Sequence, residues 1–181
     1  MPCQLLTICG SLQSASANRA ALDVAVSYLR SLGDVGLEQA DELAAIPAFN
    51  PDLDDSAETA VARFRDRIAR CDVVMIATPE YAGAIPGALK NALDWVVGSG
   101  ELYGKPVVVL SAGTTGGVHA RRQLAETLAW QGAAVVGDLG IAAPRTKTDE
   151  AGRFTDEATI EAIERLAQSA VEVATAIERT P

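Results

Sequence analysis

The stretch DVVMIATPEYAGAIPGALKNALDW, residues 72–95, decides how the chain is read. Asp72 to Thr78 carries a continuous apolar stretch of strand length, the pattern of a strand buried on both faces, and Pro79 ends it. Pro79, Gly83, Pro86 and Gly87 then hold an extended loop. Pro86 can open a helix in which Leu89, Leu93, Val96 and Val97 form a buried side and Lys90 stands four residues before Asp94. A strand covered on both faces, followed by a helix, is the unit of a parallel sheet.

The same unit repeats in both directions. Gln4 to Cys9 is an apolar run ended by Gly10, and Ala20 to Leu32 has apolar positions at helical spacing up to Gly33. Val35 to Ala40 reads as a weaker strand, followed by a loop through Pro47, Asn50 and Pro51. Ser56 is a candidate N-cap for a helix with Val61, Phe64 and Ile68 on one face. Lys105 to Ala112 (KPVVVLSA) is a further buried strand, followed by Gly113, Gly116, Gly117 and a helix from Val118 to Trp130. Ala133 to Asp138 is a fifth strand. After a loop through Pro144 and Gly152, Thr155 to Glu178 forms a long amphipathic helix capped at Thr155 or Asp156. The expected class is α/β, a flavodoxin-like three-layer sandwich with a five-stranded parallel sheet in the order 2-1-3-4-5. Its ligand would lie outside the carboxyl ends of the strands, where the winding reverses.

Composition bounds the function. The 181 residues suit one domain, 1–181, and 49% hydrophobic against 22% charged residues suits a packed core. A formal charge of −9 repels nucleic acid and anionic membrane surfaces alike. Cys3, Cys9 and Cys71 form no CxxC pair, so neither a zinc site nor a disulfide framework is expected, and Cys9 reads as a small buried hydrophobe. With no basic leader and no apolar run of bilayer length, a cytoplasmic protein without membrane insertion is expected.

Three loops at the carboxyl ends carry the chemistry. The first, GSLQSASANR from Gly10 to Arg19, offers Ser11, Ser14, Ser16 and Asn18 at a helix start, with Arg19 as its one cation. Such a loop is either an anion cradle or an ordinary strand–helix turn with Ser16 or Asn18 as N-cap. The second, from Thr78, presents backbone with few bulky side chains. A flat ring can lie there, with Tyr81 and Ile85 as apolar contacts and N–H groups from Glu80 to Gly83 at its polar edge. A structural proline loop also satisfies the pattern. The third, SAGTTGG from Ser111 to Gly117, permits close approach of a ligand ahead of a helix.

Rival motifs are absent. Gly117 is followed by Val118 and His119 where a Walker loop needs Lys and Ser or Thr, and the first loop lacks GxGxxG. Ser11 has no GxSxG context, and His119, the sole histidine, has no second metal ligand nearby in sequence and reads as a solvated first-turn residue.

Taken together, the loops resemble the NADPH-dependent FMN reductase family, which includes quinone, chromate and azo-dye reductases. The family's first loop is like GSLRxxSxNR, matched by Gly10, Ser11, Leu12, Ser16, Asn18 and Arg19, with Gln13 where arginine is usual. Its second is like PEYNxSIPGxLKNAIDW. Pro79, Glu80, Tyr81, Ile85, Pro86, Gly87, Leu89, Lys90, Asn91, Ala92, Asp94 and Trp95 match it, while Ala82 and Ala84 replace an asparagine and a serine. The resemblance implies that Ser11, Ser16, Asn18 and Arg19 hold the phosphate of FMN. It implies that Pro79, Glu80, Tyr81, Ala82 and Gly83 with Ile85 flank the ring, and that Ser111, Gly113, Gly116 and Gly117 close the other side. It further implies ping-pong hydride transfer from NADPH or NADH through FMN to a quinone-like or other small acceptor, in a homodimer or homotetramer. Trp95 would then be an interface residue or a core tryptophan. The alternative on the same fold is a non-catalytic flavin-binding electron carrier or redox-sensing module, or a site for another anion.

Overall fold

A computed structural model describes residues 2–53 and 59–178. Five parallel strands, β1 (Cys3–Cys9), β2 (Val35–Ala40), β3 (Val73–Ala77), β4 (Pro106–Gly113) and β5 (Ala134–Ala142), form one sheet in the order β2-β1-β3-β4-β5. The helices are α1 (Ala17–Leu32), α2 (Ala60–Arg70), α3 (Gly87–Asp94), α4 (Val118–Trp130) and α5 (Glu157–Glu178). Every pairing is parallel, so each connection must cross a face of the sheet, and the expected flavodoxin-like order is the one observed.

Side-chain alternation sorts the core into two layers. Leu6, Ile8, Val74, Ile76, Val107 and Val109 pack with Phe64 and Ile68 of α2, Leu89 and Leu93 of α3, and Leu124 and Leu128 of α4. Leu5, Val73, Met75, Val108 and Leu110 face the other way, against Leu22 and Leu29 of α1 and Ile163, Ala167 and Ala170 of α5. All five β3 residues are buried, which is why their sequence is unbroken rather than alternating. Burial of each such aliphatic side chain contributes about 1.5–3 kcal/mol.

Differences from the sequence reading have local causes. Helix α1 begins at Ala17, three residues early, because the Ser16 hydroxyl caps it by accepting from the Arg19 N–H at 3.4 Å. The proposed cap Ser56 lies outside the described residues; Thr59 caps α2, accepting from the Ala62 N–H at 3.0 Å. Val97 is 59% exposed rather than buried, since α3 ends at Asp94 and the chain turns before it. Strand β5 runs four residues past Asp138 because the backbone pairs with β4 as far as Gly113–Ala142, although the exposed edge has no apolar run to announce it. Asp156, not Thr155, caps α5: its carboxylate accepts from the Thr159 N–H at 2.9 Å and the Thr159 hydroxyl at 2.7 Å. Trp95 is buried, its Nε1 donating to the Pro47 carbonyl at 2.9 Å and its ring meeting Phe49 edge-on with centroids 5.2 Å apart. Cys3, Cys9 and Cys71 are buried and none of them is in a disulfide among the described residues.

Candidate active site

The strand order reverses between β1 and β3, and the loops after β1, β3 and β4 converge there. Gly10 passes under β3, its N–H donating to the Ala77 carbonyl at 2.7 Å, and a Cβ on Gly10 would sit 3.0 Å from Leu89 Cδ2. The glycine thus sits in tight packing, its Cβ position also 3.3 Å from the Ala77 carbonyl, and its φ is not left-handed. Beyond it the N–H groups from Ser14 to Asn18 donate to nothing among the described residues. They are the open donors of a helix start, where the dipole favours an anion.

Arg19 supplies the local positive charge that the net charge of −9 lacks. Its Nη2 lies 3.7 Å from the exposed Asp41 carboxylate, whereas its Nη1 is buried without a hydrogen-bond partner. A buried guanidinium nitrogen left unpaired costs free energy that an anionic oxygen would recover. One helical turn on, lost hydration pushes the Asp23 carboxyl up from its ordinary pKa, against the pull of Arg19.

Asn18 is occupied differently. Its side-chain Nδ2 donates to the Ala112 carbonyl at 3.0 Å and its Oδ1 accepts from the Ala112 N–H at 2.9 Å, all buried. The amide thus completes a backbone-like pair at the end of β4 and ties the first loop to the third. Only its main-chain N–H is left for a ligand. Ser11 Oγ accepts from the Gln13 N–H at 3.3 Å, and Ser16 Oγ is the cap already described.

The second loop contains a tight turn. Tyr81 and Ala84 exchange backbone hydrogen bonds of 2.9 and 3.0 Å, and the two residues between them have positive φ, 52° at Ala82 and 73° at Gly83. The N–H groups of Glu80, Ala82 and Gly83 donate to nothing among the described residues. Tyr81, Ala82 and Gly83 are exposed, Pro79 and Ile85 buried. Glu80 turns its carboxylate to the start of α4, accepting from the His119 and Ala120 N–H groups at 2.8 and 3.0 Å. His119 is itself exposed.

In the third loop Gly116 and Gly117 have φ of 73° and 61°. A Cβ on Gly117 would lie 1.9 Å from Ser111 Oγ, so the backbone rests directly on that serine. Ser111 is fully buried and its hydroxyl has no hydrogen-bond partner, which puts it beneath the turn rather than on its outer surface. Three residues unmarked by any motif complete the framework. Arg121 Nε donates to the Gly116 carbonyl at 2.9 Å while its Nη1 bonds Asp138, and Gly140 leaves room for both, its Cβ position lying 2.9 Å from that same carbonyl. Gln123 Oε1 accepts from the Ile85 N–H at 2.8 Å. Cavities of about 690 and 490 Å³ open elsewhere, one at the amino ends of β1 and β2, the other between α1 and α5, and neither includes the three loops.

The donor set fits FMN: free N–H groups and an unpaired guanidinium nitrogen for a phosphate, and exposed, nearly side-chain-free backbone with free N–H groups for a flat ring carrying carbonyls. Among the described residues there is no metal-binding cluster and no helix long and apolar enough to cross a membrane.

Known proteins agree with this geometry. A family profile described as NADPH-dependent FMN reductase matches residues 3–148. An NAD(P)H-dependent FMN reductase of Pseudomonas aeruginosa is 34% identical over 173 residues, covering 92% of both chains. A quinone reductase of Escherichia coli K12 is 28% identical over 169 residues, 87% of this chain and 88% of its own. Among solved structures, the flavoenzyme NAD(P)H:(acceptor) oxidoreductase FerB of Paracoccus denitrificans superimposes with a TM-score of 0.79 at 26% identity, covering 96% of this chain and 97% of its own. With the profile spanning most of the chain and the three loops in place, the protein belongs to the NADPH-dependent FMN reductase family.

Proposed function

We propose that the protein catalyses ping-pong transfer of a hydride from NADH or NADPH to a quinone-like acceptor. FMN, when bound, supplies the two-electron redox chemistry. The balance is one hydride from the nicotinamide and one proton from solvent, giving the oxidised nicotinamide and the hydroquinone. The observation that carries the reading is the buried, unpaired Nη1 of Arg19 beside the open N–H groups of the α1 start, a set of donors suited to an anion.

The chain's own residues bind and orient. Arg19 and the N–H groups from Ser14 to Asn18 would hold the phosphate; Ser11 and Ser16 shape that loop through their bonds to Gln13 and Arg19. The free N–H groups of Glu80, Ala82 and Gly83 would bond the polar edge of the ring and favour negative charge there. Pro79, Tyr81 and Ile85 would supply its apolar flank and the backbone of Gly113, Gly116 and Gly117 the other, with Ser111 supporting that turn from beneath. Because Tyr81, Ala82 and Gly83 are exposed, a nicotinamide and then an acceptor can stack in turn at one place. With no acidic or basic side chain required for the hydride step, the protein's role is placement.

We further infer a single domain, 1–181, that works in the cytoplasm as a homodimer or homotetramer; light scattering of the holoprotein reads the last point. The activity is tested by loading purified protein with FMN and following NADPH or NADH oxidation with a benzoquinone. Turnover above that of free FMN is expected. A yellow protein without turnover would make it a flavin carrier, and a protein that stays colourless after FMN addition and desalting would end the flavin reading.

A further inference from the structure

The turn that would meet the flavin ring is built from an unfavourable sequence. A two-residue turn with both central φ positive suits Asn-Gly or Gly-Gly, because an L residue with a plain Cβ crowds its own carbonyl in the left-handed region. Here the first central residue is Ala82, at φ 52°, and Ala82 and Ala143 are the non-glycine residues with positive φ among those described. Only the Tyr81–Ala84 pair closes the turn from within.

Two contacts from one helix bracket it. The residue before the turn, Glu80, is held by the His119 and Ala120 N–H groups, and the residue after it, Ile85, donates to Gln123 Oε1 at 2.8 Å. His119 and Gln123 are one helical turn apart, so both anchors belong to the first two turns of α4, which Leu124 and Leu128 seat in the core. The Gln123 bond fixes the peptide that follows the turn, and the two Glu80 bonds pin the side chain of the residue that precedes it to the helix start.

We propose that Glu80 and Gln123 are positioning residues: together they clamp the 81–84 turn to α4 and hold Ala82 in the left-handed conformation that sets the direction of the N–H groups of Ala82 and Gly83. The clamp stands on the geometry alone; its consequence for flavin rests on the proposed function. Glu80 thereby acts from behind the loop as well as through its main chain, and Gln123 acts without facing the cofactor.

The test uses the flavin-free full chain and hydrogen exchange of the Tyr81 and Ala84 amides, which bond each other and neither clamp residue. Gln123→Met, which keeps the volume and removes the acceptor, and Glu80→Ala should each speed exchange of those two amides about tenfold, the scale of one lost hydrogen bond, while Ile76 in β3 stays protected. Adding Ala82→Asn should restore protection, since asparagine favours the left-handed conformation unaided. In titrations with FMN the same single variants should raise Kd about tenfold. Unchanged exchange at Tyr81 and Ala84, or equal loss at Ile76, overturns the clamp, as does failure of Ala82→Asn to rescue. Loosened amides with unchanged Kd overturn its role toward flavin. If wild type does not bind FMN but the amides behave as described, the clamp stands and the flavin reading falls. Should Gln123→Met not fold, Gln123→Asn, whose acceptor is one methylene shorter, is read by the same criteria.

Discussion

At the scale of single residues, the site is made more by what side chains do to backbone than by what they offer a ligand. Arg19 is the exception, and it has the clearest prediction. A charge-assisted hydrogen bond contributes about 1.5–3 kcal/mol, so Arg19→Ala should weaken FMN about 10- to 100-fold and leave riboflavin, which lacks the phosphate, unaffected. Fluorescence titration with both flavins measures the contrast. Asn18→Ala should instead destabilise the apoprotein, because it strands the Ala112 N–H and carbonyl; each buried group left unpaired costs about 1–3 kcal/mol, read from a urea midpoint. Gly117→Ala should cost a similar amount, about 1–3 kcal/mol of overpacking, since the new Cβ lands on Ser111 Oγ. The motif residues were visible as letters, but their division of labour was not. Asn18 in a loop of serines reads as one more polar donor, and nothing in the sequence says that its partner lies 94 residues away. Gln123 carried no signal at all, being one polar residue on a polar helix face.

At the scale of elements, caps and close approaches fix where strands and helices stop. The Asp156 carboxyl is held below its ordinary 3.8 by the Thr159 hydroxyl and then the Thr159 N–H, with Lys147 nearby. A carboxylate whose folded pKa is depressed stabilises the fold above its unfolded value, and that stability is lost as pH falls through the folded one. Lowering pH below about 4 should therefore reduce Tm more in wild type than in Asp156→Asn, which still caps but cannot titrate. Thermal melts across pH 7 to 3 read the difference. Elements with a buried face were legible because burial writes periodicity into sequence: β3 is unbroken apolar, and α2 carries Val61, Phe64 and Ile68 at helical spacing. Strand β5 was legible only at its start, where Ala133 to Val136 is an apolar run; beyond it Gly137, Asp138 and Gly140 break the pattern, and the strand is continued by main-chain pairing with β4 as far as Ala142.

At the scale of the molecule, binding and folding are linked, since the cradle exists only when β1, β3 and β4 are assembled. FMN at 100 times its Kd should add about 2.7 kcal/mol to the unfolding free energy and raise Tm in proportion to log ligand concentration. A calorimetric or fluorescence melt over graded FMN measures this, and a flat series would show that the ligand does not select the folded state. The sequence by itself determined the alternation of strands and helices, the five-stranded sheet and the three loops that matter, because hydrophobic burial and turn chemistry act over a few residues and leave local patterns. Tertiary structure alone decided how those loops are joined: Asn18 to Ala112, Glu80 and Gln123 to the turn at Ala82, Ser111 beneath Gly117. Those are contacts between segments far apart in the chain, in which a particular side chain meets a main-chain group that every residue possesses, so the sequence around each side chain gives no sign of where its partner lies.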